Sequence, residues 1–344
     1  MFDVKKPSNS TFGNPLSLRV DGNFLSTMSI APGGRDAVLA GRKGLFVIDL
    51  DDPFAAPRWL RHETTWEVAD VQWSPHKSKP SWVVSTSNQK VMVWNLMRPS
   101  HDAIEHTLHA HNRAITDINF HTFHPELLST CSVDTFVYTW DLRCPKIPIY
   151  QFADWRAAAS QVKWNYNNPD ILATAHDHHV LIWDRRKGAV PLERIEAHNG
   201  RVNGVDWSRT DANEVTTCSN DMTVKFWDYG KSTEEPLYTI ETDFPVNRAR
   251  NLPFGDHCCG IMPLRGGNNT IYITSYKNKS GVSKLDPLFK FPGHTEPVKD
   301  FLWRCKHSSN STVDDREFQL VTWSSDCDLR LWPIDDTIYP VTTV

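Results

Sequence analysis

Short runs of alternating apolar and polar residues recur along this chain, and five of them end in tryptophan. Alternation of this kind, with Val, Ile, Leu and Phe at the apolar positions, is typical of a β-strand. From Trp94 to Trp227 successive tryptophans are 46, 43 and 44 residues apart, so each strand belongs to a larger repeated unit. The five runs are residues 91–94, 137–140, 180–183, 224–227 and 329–332.

A repeat of about 45 residues built from short strands is typical of a WD-repeat β-propeller. Projecting the period backwards from Trp94 reaches Ile48, and projecting it forwards from Trp227 reaches Thr274; both lie in apolar runs. These two units bring the count to seven. The predicted fold class is therefore all-β, a seven-bladed WD-repeat propeller that occupies residues 1–344 as a single domain.

The last predicted blade lacks an outer strand, because little apolar sequence follows Trp332. Residues 16–20 read as a strand but have no place in the first blade. We expect this N-terminal strand to complete the last blade and close the ring, which leaves only short edges. The 58 residues from Thr274 to Trp332 exceed one period, and we attribute the excess to a polar insertion at residues 306–316.

Three blades carry a matched set of four polar or aromatic residues in which Thr precedes Asp by four and Asp precedes Trp by six. The pattern resembles the structural tetrad of WD repeats, in which Asp orients His, His bonds the hydroxyl, and the hydroxyl accepts from the indole N–H. Such a chain satisfies buried polar groups cooperatively. The sets are His111, Thr130, Asp134 and Trp140; His198, Thr217, Asp221 and Trp227; and His294, Thr322, Asp326 and Trp332.

Thr, His and Asp are also components of hydrolase sites. Catalysis requires one site, whereas this set occurs in three copies around a ring. We therefore predict that the chain is not an enzyme, with no catalytic residues and no cofactor.

Blade four departs from the pattern, because residues 157–160 stand where its loop histidine would be. Trp155 and Arg156 precede that point, and His176, His178 and His179 occupy the turn on the same face. Trp and Arg are enriched at binding hot spots, so these five residues form a candidate partner-binding patch. Packing of Trp155 into the blade in place of the histidine is the alternative.

The three histidines are also potential zinc ligands. Side chains in a tight turn diverge, so we interpret the cluster as a surface turn and predict no metal site.

Charge and hydropathy exclude some partners. The 37 Lys and Arg residues against 41 Asp and Glu residues give a net charge of -4 without long runs of one sign, which disfavours nucleic acid. No apolar stretch approaches the 18 residues of a transmembrane helix. Seven cysteines without a C-x-x-C motif predict a reduced, cytoplasmic chain.

Several stretches that the repeat does not require resemble the N-terminal propeller of the family of WD repeat-containing protein 59 and its fungal SEA-complex counterpart. They occur in every blade except the sixth. The most specific is Ala-Ser-Gln-Val-Lys-Trp-Asn at residues 159–165; others are residues 37–42, 70–75, 132–141, 172–177, 219–229 and 319–324.

The resemblance implies a non-catalytic scaffold of the SEA or GATOR complex, which regulates TOR complex 1 signalling in response to amino acids. Its expected partners are other subunits of that complex, and association with the vacuole or lysosome membrane would be peripheral and through them. Members of the family continue past the propeller, so we expect this chain to be a fragment.

A second function remains open. Residues 128–143 include a W-D-x-R sequence at 140–143 and resemble the segment by which substrate receptors dock on the adaptor of cullin-RING ubiquitin ligases. An arginine that simply caps the outer strand is the structural alternative.

Overall fold

The computed structural model describes residues 12, 15–20, 25–62, 64–255, 257–277, 279–306 and 317–334. Seven sheets follow one another along the chain, six with four antiparallel strands and one with a fifth strand added in parallel. This arrangement confirms the predicted seven-bladed, all-β propeller closed by an N-terminal strand.

The first three blades follow the chain in order from inner to outer strand. Before them, β1 spans Leu16–Arg19. Blade one consists of β2 (Leu25–Ile30), β3 (Asp36–Gly41), β4 (Gly44–Asp49) and β5 (Arg58–Arg61). Blade two consists of β6 (Val71–Trp73), β7 (Trp82–Ser87), β8 (Lys90–Asn95) and β9 (Ile104–His109). Blade three consists of β10 (Ile115–Phe120), β11 (Leu127–Ser132), β12 (Phe136–Asp141) and β13 (Tyr150–Ala153).

Of the other four blades, blades five, six and seven depart from simple chain order. Blade four consists of β14 (Ala159–Trp164), β15 (Ile171–His176), β16 (His179–Asp184) and β17 (Glu193–Ile195). Blade five consists of β18 (Val202–Trp207), β19 (Glu214–Ser219), β20 (Thr223–Asp228) and β21 (Tyr238–Glu241), joined by β25 (Gly281–Lys284). Blade six consists of β22 (Val246–Asn251), β23 (Cys258–Pro263), β24 (Ile271–Ser275) and β26 (Phe289–Phe291). Blade seven consists of β27 (Val298–Lys306), β28 (Glu317–Ser324) and β29 (Asp328–Pro333) with β1.

Neighbouring blades are joined by side chains of their inner strands. Asp117 Oδ2 accepts a 2.9 Å hydrogen bond from the backbone N–H of Val162 in the next blade. Gln161 Oε1 then accepts from Val205 N at 3.1 Å, one blade further on. An inner strand has no sheet partner on its channel side, so these bonds satisfy backbone groups that the ladder leaves unpaired. The polar inner residues are therefore part of the scaffold.

Ring closure depends on β1, which lies antiparallel to β29 with Leu16 opposite Leu331 and Arg19 opposite Asp328. Leu16 and Leu18 pack on the hydrophobic cluster shared by blades seven and one. On the other side of the same junction, the buried Arg304 guanidinium bonds Gly34 O, Leu50 O and Gln319 Oε1 and pairs with Asp51. Closure of the ring thus combines the pairing of β1 with β29 and the bonds of Arg304 from blade seven to blade one.

The structure revises our account of the long interval before Trp332. The connection from β24 to β26 has 13 residues, against eight or nine for the corresponding connections of blades one to five. Within it β25 pairs in parallel with β21, with Tyr238 opposite Gly281. The attribution of the whole excess to residues 306–316 was therefore wrong, although residues 307–316, outside the described residues, do fall between β27 and β28. The four mostly exposed residues of β25 show no apolar alternation that would have revealed a strand.

The turn that follows the inner strand β10 depends on a buried histidine. His121 Nδ1 accepts from the backbone N–H groups of Phe123 and His124 at 2.9 and 3.0 Å, and Nε2 donates to Pro169 O at 2.8 Å. Asn165 has the equivalent position in blade four, and its amide makes the same three kinds of bond. Burial lowers the pKa of His121 to about 4, so the imidazole remains neutral.

We predict that deleting residues 1–20 lowers the melting temperature and causes aggregation, because β29 then has an unpaired edge and the leucines of β1 are lost. Half-burial of the two leucine side chains contributes about 2 kcal/mol or more to the free energy of unfolding. Deletion of residues 1–11 is the control, because it leaves β1 intact. Thermal unfolding monitored by circular dichroism compares the two, and equal melting temperatures would refute this role of β1.

We also predict that His121→Asn reduces the loss of stability on acidification. The pKa of His121 is about 4 in the folded chain and about 6.5 in the unfolded chain. The contribution of the neutral imidazole to stability is therefore present above pH 6.5 and is lost as pH falls towards 4. Asparagine supplies the same hydrogen bonds without titrating. Between pH 7 and 5 the free energy of unfolding should fall by about 2 kcal/mol more in the unmodified chain than in the variant. Urea unfolding at the two pH values measures this difference, and parallel losses would contradict it.

Candidate functional site

The structure brings the four side chains of each predicted tetrad together. In blade three, Trp140 Nε1 donates to Thr130 Oγ1 at 3.0 Å. The same Thr130 Oγ1 lies 2.8 Å from His111 Nε2. His111 Nδ1 lies 3.0 Å from Asp134 Oδ2. The sets of blades five and seven repeat these distances. A consistent proton arrangement has His donate to Asp and accept from Thr, while Thr accepts from Trp.

Each tetrad aspartate also holds the backbone of two loops. In blade five Asp221 accepts from the N–H groups of Asn199 and Thr223, which lie before β18 and at the start of β20. Burial opposes ionisation of Asp221, but the bonds from His198, Thr223 and the Asn199 backbone together outweigh burial and lower its pKa. Burial lowers the pKa of His198 despite that carboxylate. The pair is therefore a neutral imidazole bonded to a carboxylate, and its role is to fix the loops.

Blade four forms a tetrad-like chain from a different histidine. His176 lies in β15, is fully buried, and places Nε2 2.8 Å from Thr174 Oγ1, which accepts from Trp183 Nε1. His176 Nδ1 is 3.2 Å from Ala157 O, so a loop carbonyl takes the place of the aspartate. The sequence places Asp177 in register with the tetrad aspartates, but it lies at positive φ in a tight turn and is exposed.

Blade two shows a shorter version of the same network. Trp94 Nε1 donates to Ser85 Oγ at 2.9 Å, and Asn88 lies at positive φ in the turn between β7 and β8. In blades two and four the hydroxyl precedes tryptophan by nine residues rather than ten, because their turns are shorter. This spacing is the signal by which the role of His176 could have been recognised.

The predicted partner-binding patch is only partly at the surface. We call the side of the ring that carries the β15–β16 turn and the β13–β14 connection the upper face. Trp155 is 76% exposed there, so it does not pack into the blade in place of a histidine. Its ring contacts Phe136 edge-on at 5.0 Å. Arg156 and His178 are exposed as well.

The other two histidines were wrongly predicted to be exposed. His176 belongs to the buried chain described above. His179 is 1% exposed and its Nε2 lies 2.6 Å from Asp154 Oδ2. The β15–β16 turn is two residues long, so His176 and His179 face each other across the ladder and point into the blade, whereas only His178 remains at the tip. The exposed patch therefore consists of Trp155, Arg156 and His178.

Comparison with known proteins defines the class. The family model described as WD domain, G-beta repeat matches residues 103–141 and 189–228. A chain in the crystal structure of a mitotic checkpoint complex superposes with a TM-score of 0.74 over 98% of this chain and 97% of its own, at 19% identity, which shows a shared fold. The chain is a WD-repeat β-propeller.

Sequence similarity identifies the family more closely. Maintenance of telomere capping protein 5 from Saccharomyces cerevisiae is 56% identical over 97% of this chain, and human GATOR2 complex protein WDR59 is 36% identical over 90%. The chain belongs to this family as a WDR59-like propeller. It spans 29% and 31% of the lengths of these two relatives. Within the described residues, no helix is long and apolar enough to cross a bilayer.

We predict that His198→Ala and His176→Ala each destabilise the chain by about 1–3 kcal/mol, because each leaves a buried threonine and its partners unsatisfied. His101→Ala is the control, since His101 is exposed in a short 3-10 helix. Chemical denaturation at pH 7.5 measures the differences. A loss for His176→Ala no greater than that for His101→Ala would show that the blade-four chain is not a stabilising network.

Proposed function

We propose that this chain is a non-catalytic protein-interaction module of a SEA or GATOR-type complex that regulates TOR complex 1 in response to amino acids. The observation that carries the proposal is similarity to GATOR2 complex protein WDR59 over 90% of the chain. In this proposal the partners are other subunits of the complex. The module lies in the cytoplasm and reaches the vacuole or lysosome membrane peripherally, through those subunits.

A scaffold role agrees with the chemistry of the tetrads. Their Thr and His side chains are buried, and the nitrogens and hydroxyls of all three sets bond within their own blade. A catalytic histidine must exchange protons with a substrate, which these imidazoles do not face. The tetrads therefore support the loops of the upper face rather than a reaction.

The exposed pair Trp155 and Arg156 is the proposed contact with a neighbouring subunit. Trp155 is held by the ring of Phe136 yet keeps 76% of its surface free, so little conformational entropy is lost when a partner covers it. The N–H of Arg156 donates to Asp154 Oδ1 at 3.1 Å, which fixes the loop between β13 and β14. A rigid aromatic residue beside an arginine is typical of an interface hot spot.

The cullin-ligase alternative rests on residues 128–143 with their W-D-x-R sequence at 140–143. A second such sequence lies at 183–186, and the arginine of each bonds a nearby aspartate. Arg143 bonds Asp141, and Arg186 bonds Asp184, each at the corner that leads to the outer strand. These contacts account for the arginines without an adaptor. Similarity to WDR59 favours the first function.

We predict that Trp155→Ala/Arg156→Ala in the full-length protein reduces co-purification of neighbouring subunits at least tenfold while the melting temperature of the chain stays nearly unchanged. Met97→Ala/Arg98→Ala is the matched control, because it removes an exposed apolar residue and a half-buried arginine from the opposite face. Affinity purification with quantitative mass spectrometry measures recovery.

Two results would contradict the proposal. Recovery of the cullin adaptor without SEA or GATOR subunits by the unmodified protein would favour the ligase function. Undiminished subunit recovery with a large fall in melting temperature would place Trp155 in the structural core instead.

A further inference from the structure

Three side chains of metal-ligand type converge on the upper face of blade four. His178 and His179 come from the β15–β16 junction, and Glu196 follows β17. One nitrogen from each imidazole and one carboxylate oxygen of Glu196 all lie within 4.8 Å of one another. His178 Nε2 and Glu196 Oε2 are the closest described pair, at 3.2 Å.

Both imidazoles are oriented by a carboxylate on their other side. Asp177 Oδ2 lies 3.2 Å from His178 Nδ1, which turns Nε2 towards Glu196. Asp154 Oδ2 lies 2.6 Å from His179 Nε2. Metal-binding histidines usually donate their second N–H to a carboxylate, which fixes the tautomer and increases the basicity of the ligating nitrogen. Here the arrangement occurs twice within one cluster.

His179 supplies an independent observation. Its side chain is buried, and Nδ1 has no hydrogen-bond partner among the described residues. With Nε2 donating to Asp154, Nδ1 carries a lone pair that no described residue satisfies. A buried acceptor of this kind calls for a partner, and a metal ion beside His178 and Glu196 would provide it.

The ligand set selects the class of metal. Two imidazole nitrogens and a carboxylate oxygen suit Zn²⁺, which binds three protein ligands and leaves a fourth position for water in an open tetrahedral site. Tetrahedral ligands at about 2.0–2.1 Å from zinc lie about 3.4 Å apart. The cluster must therefore contract, and its two exposed members, His178 and Glu196, can make that movement.

The Arg194 guanidinium opposes metal binding, because it lies beside two carboxylates of the site; its Nη1 is 3.5 Å from Asp154 Oδ2. Arg194 Nε bonds Glu196 Oε1 at 2.6 Å, so this oxygen is occupied. Oε2, on the side of His178, remains available for the metal. A monodentate carboxylate is thus compatible with the ion pair.

We propose that His178, His179 and Glu196 form a surface Zn²⁺ site on blade four, with Asp154 as a positioning residue behind His179 and water as the fourth ligand. The site is distinct from the tetrads, but it shares His178 with the exposed patch and Asp154 with the loop that carries Trp155. It reverses our interpretation of this turn from the sequence, which considered His176, His178 and His179 without Glu196 and Asp154.

The test is calorimetric titration of the tag-free chain with ZnCl₂. We expect one equivalent to bind, and His178→Ala/Glu196→Ala to weaken binding at least tenfold. His101→Ala/His109→Ala is the control, because both residues are exposed in blade two. No binding, or equal affinity in the two double variants, would overturn the site.

Two further measurements separate this site from other ligands and roles. Co²⁺ should give a d–d spectrum without a thiolate charge-transfer band, whereas such a band would assign the metal to cysteine and reject the proposal. Asp154→Asn keeps the hydrogen bond to His179 but removes its charge, and we expect zinc affinity to fall about ten- to a hundredfold. Unchanged affinity would exclude Asp154 as a positioning residue and would contradict the arrangement proposed here.

Discussion

The whole structure depends on closure of the ring. Each blade buries one face against the next, so seven blades leave no apolar face uncovered only when the seventh meets the first. The antiparallel pairing of β1 with β29 and the clamp of Arg304 on Gly34, Leu50 and Asp51 make that junction. At other junctions, Asp117 and Gln161 bond the backbone of the next blade and so join neighbouring blades in the same way.

Loops on the upper face are rigid because buried networks hold them. Each tetrad aspartate accepts hydrogen bonds from the backbone of two loops. In blade four the Ala157 carbonyl takes the place of the aspartate. Asp154 in the same loop bonds His179 and the N–H of Arg156, and Trp155 between them points outward. Loss of one structural histidine thus coincides with the most distinctive surface of the ring.

Much of the fold could be predicted because the repeat is redundant. The tryptophan period, the Thr-to-Asp-to-Trp spacing and the unassigned strand at residues 16–20 each point to the same ring. Prediction was poorer where one residue decides the outcome. Whether His176 faces the core or solvent depends on a turn shorter by one residue, and the partners of His179 and Glu196 are distant in sequence. Strand β25 is stabilised by pairing with β21 rather than by its own composition, so no local pattern reveals it.

The pairing that closes the ring also sets the order of events at the ribosome. Ser17 bonds Asp328, a contact that spans 311 residues, so β1 cannot pair until β29 has been synthesised. At about 5–20 residues per second this wait lasts on the order of tens of seconds, during which the open first blade exposes an apolar face to other nascent chains. Contacts so distant in sequence also slow folding. The ring is therefore completed only after β29 is available to pair with β1.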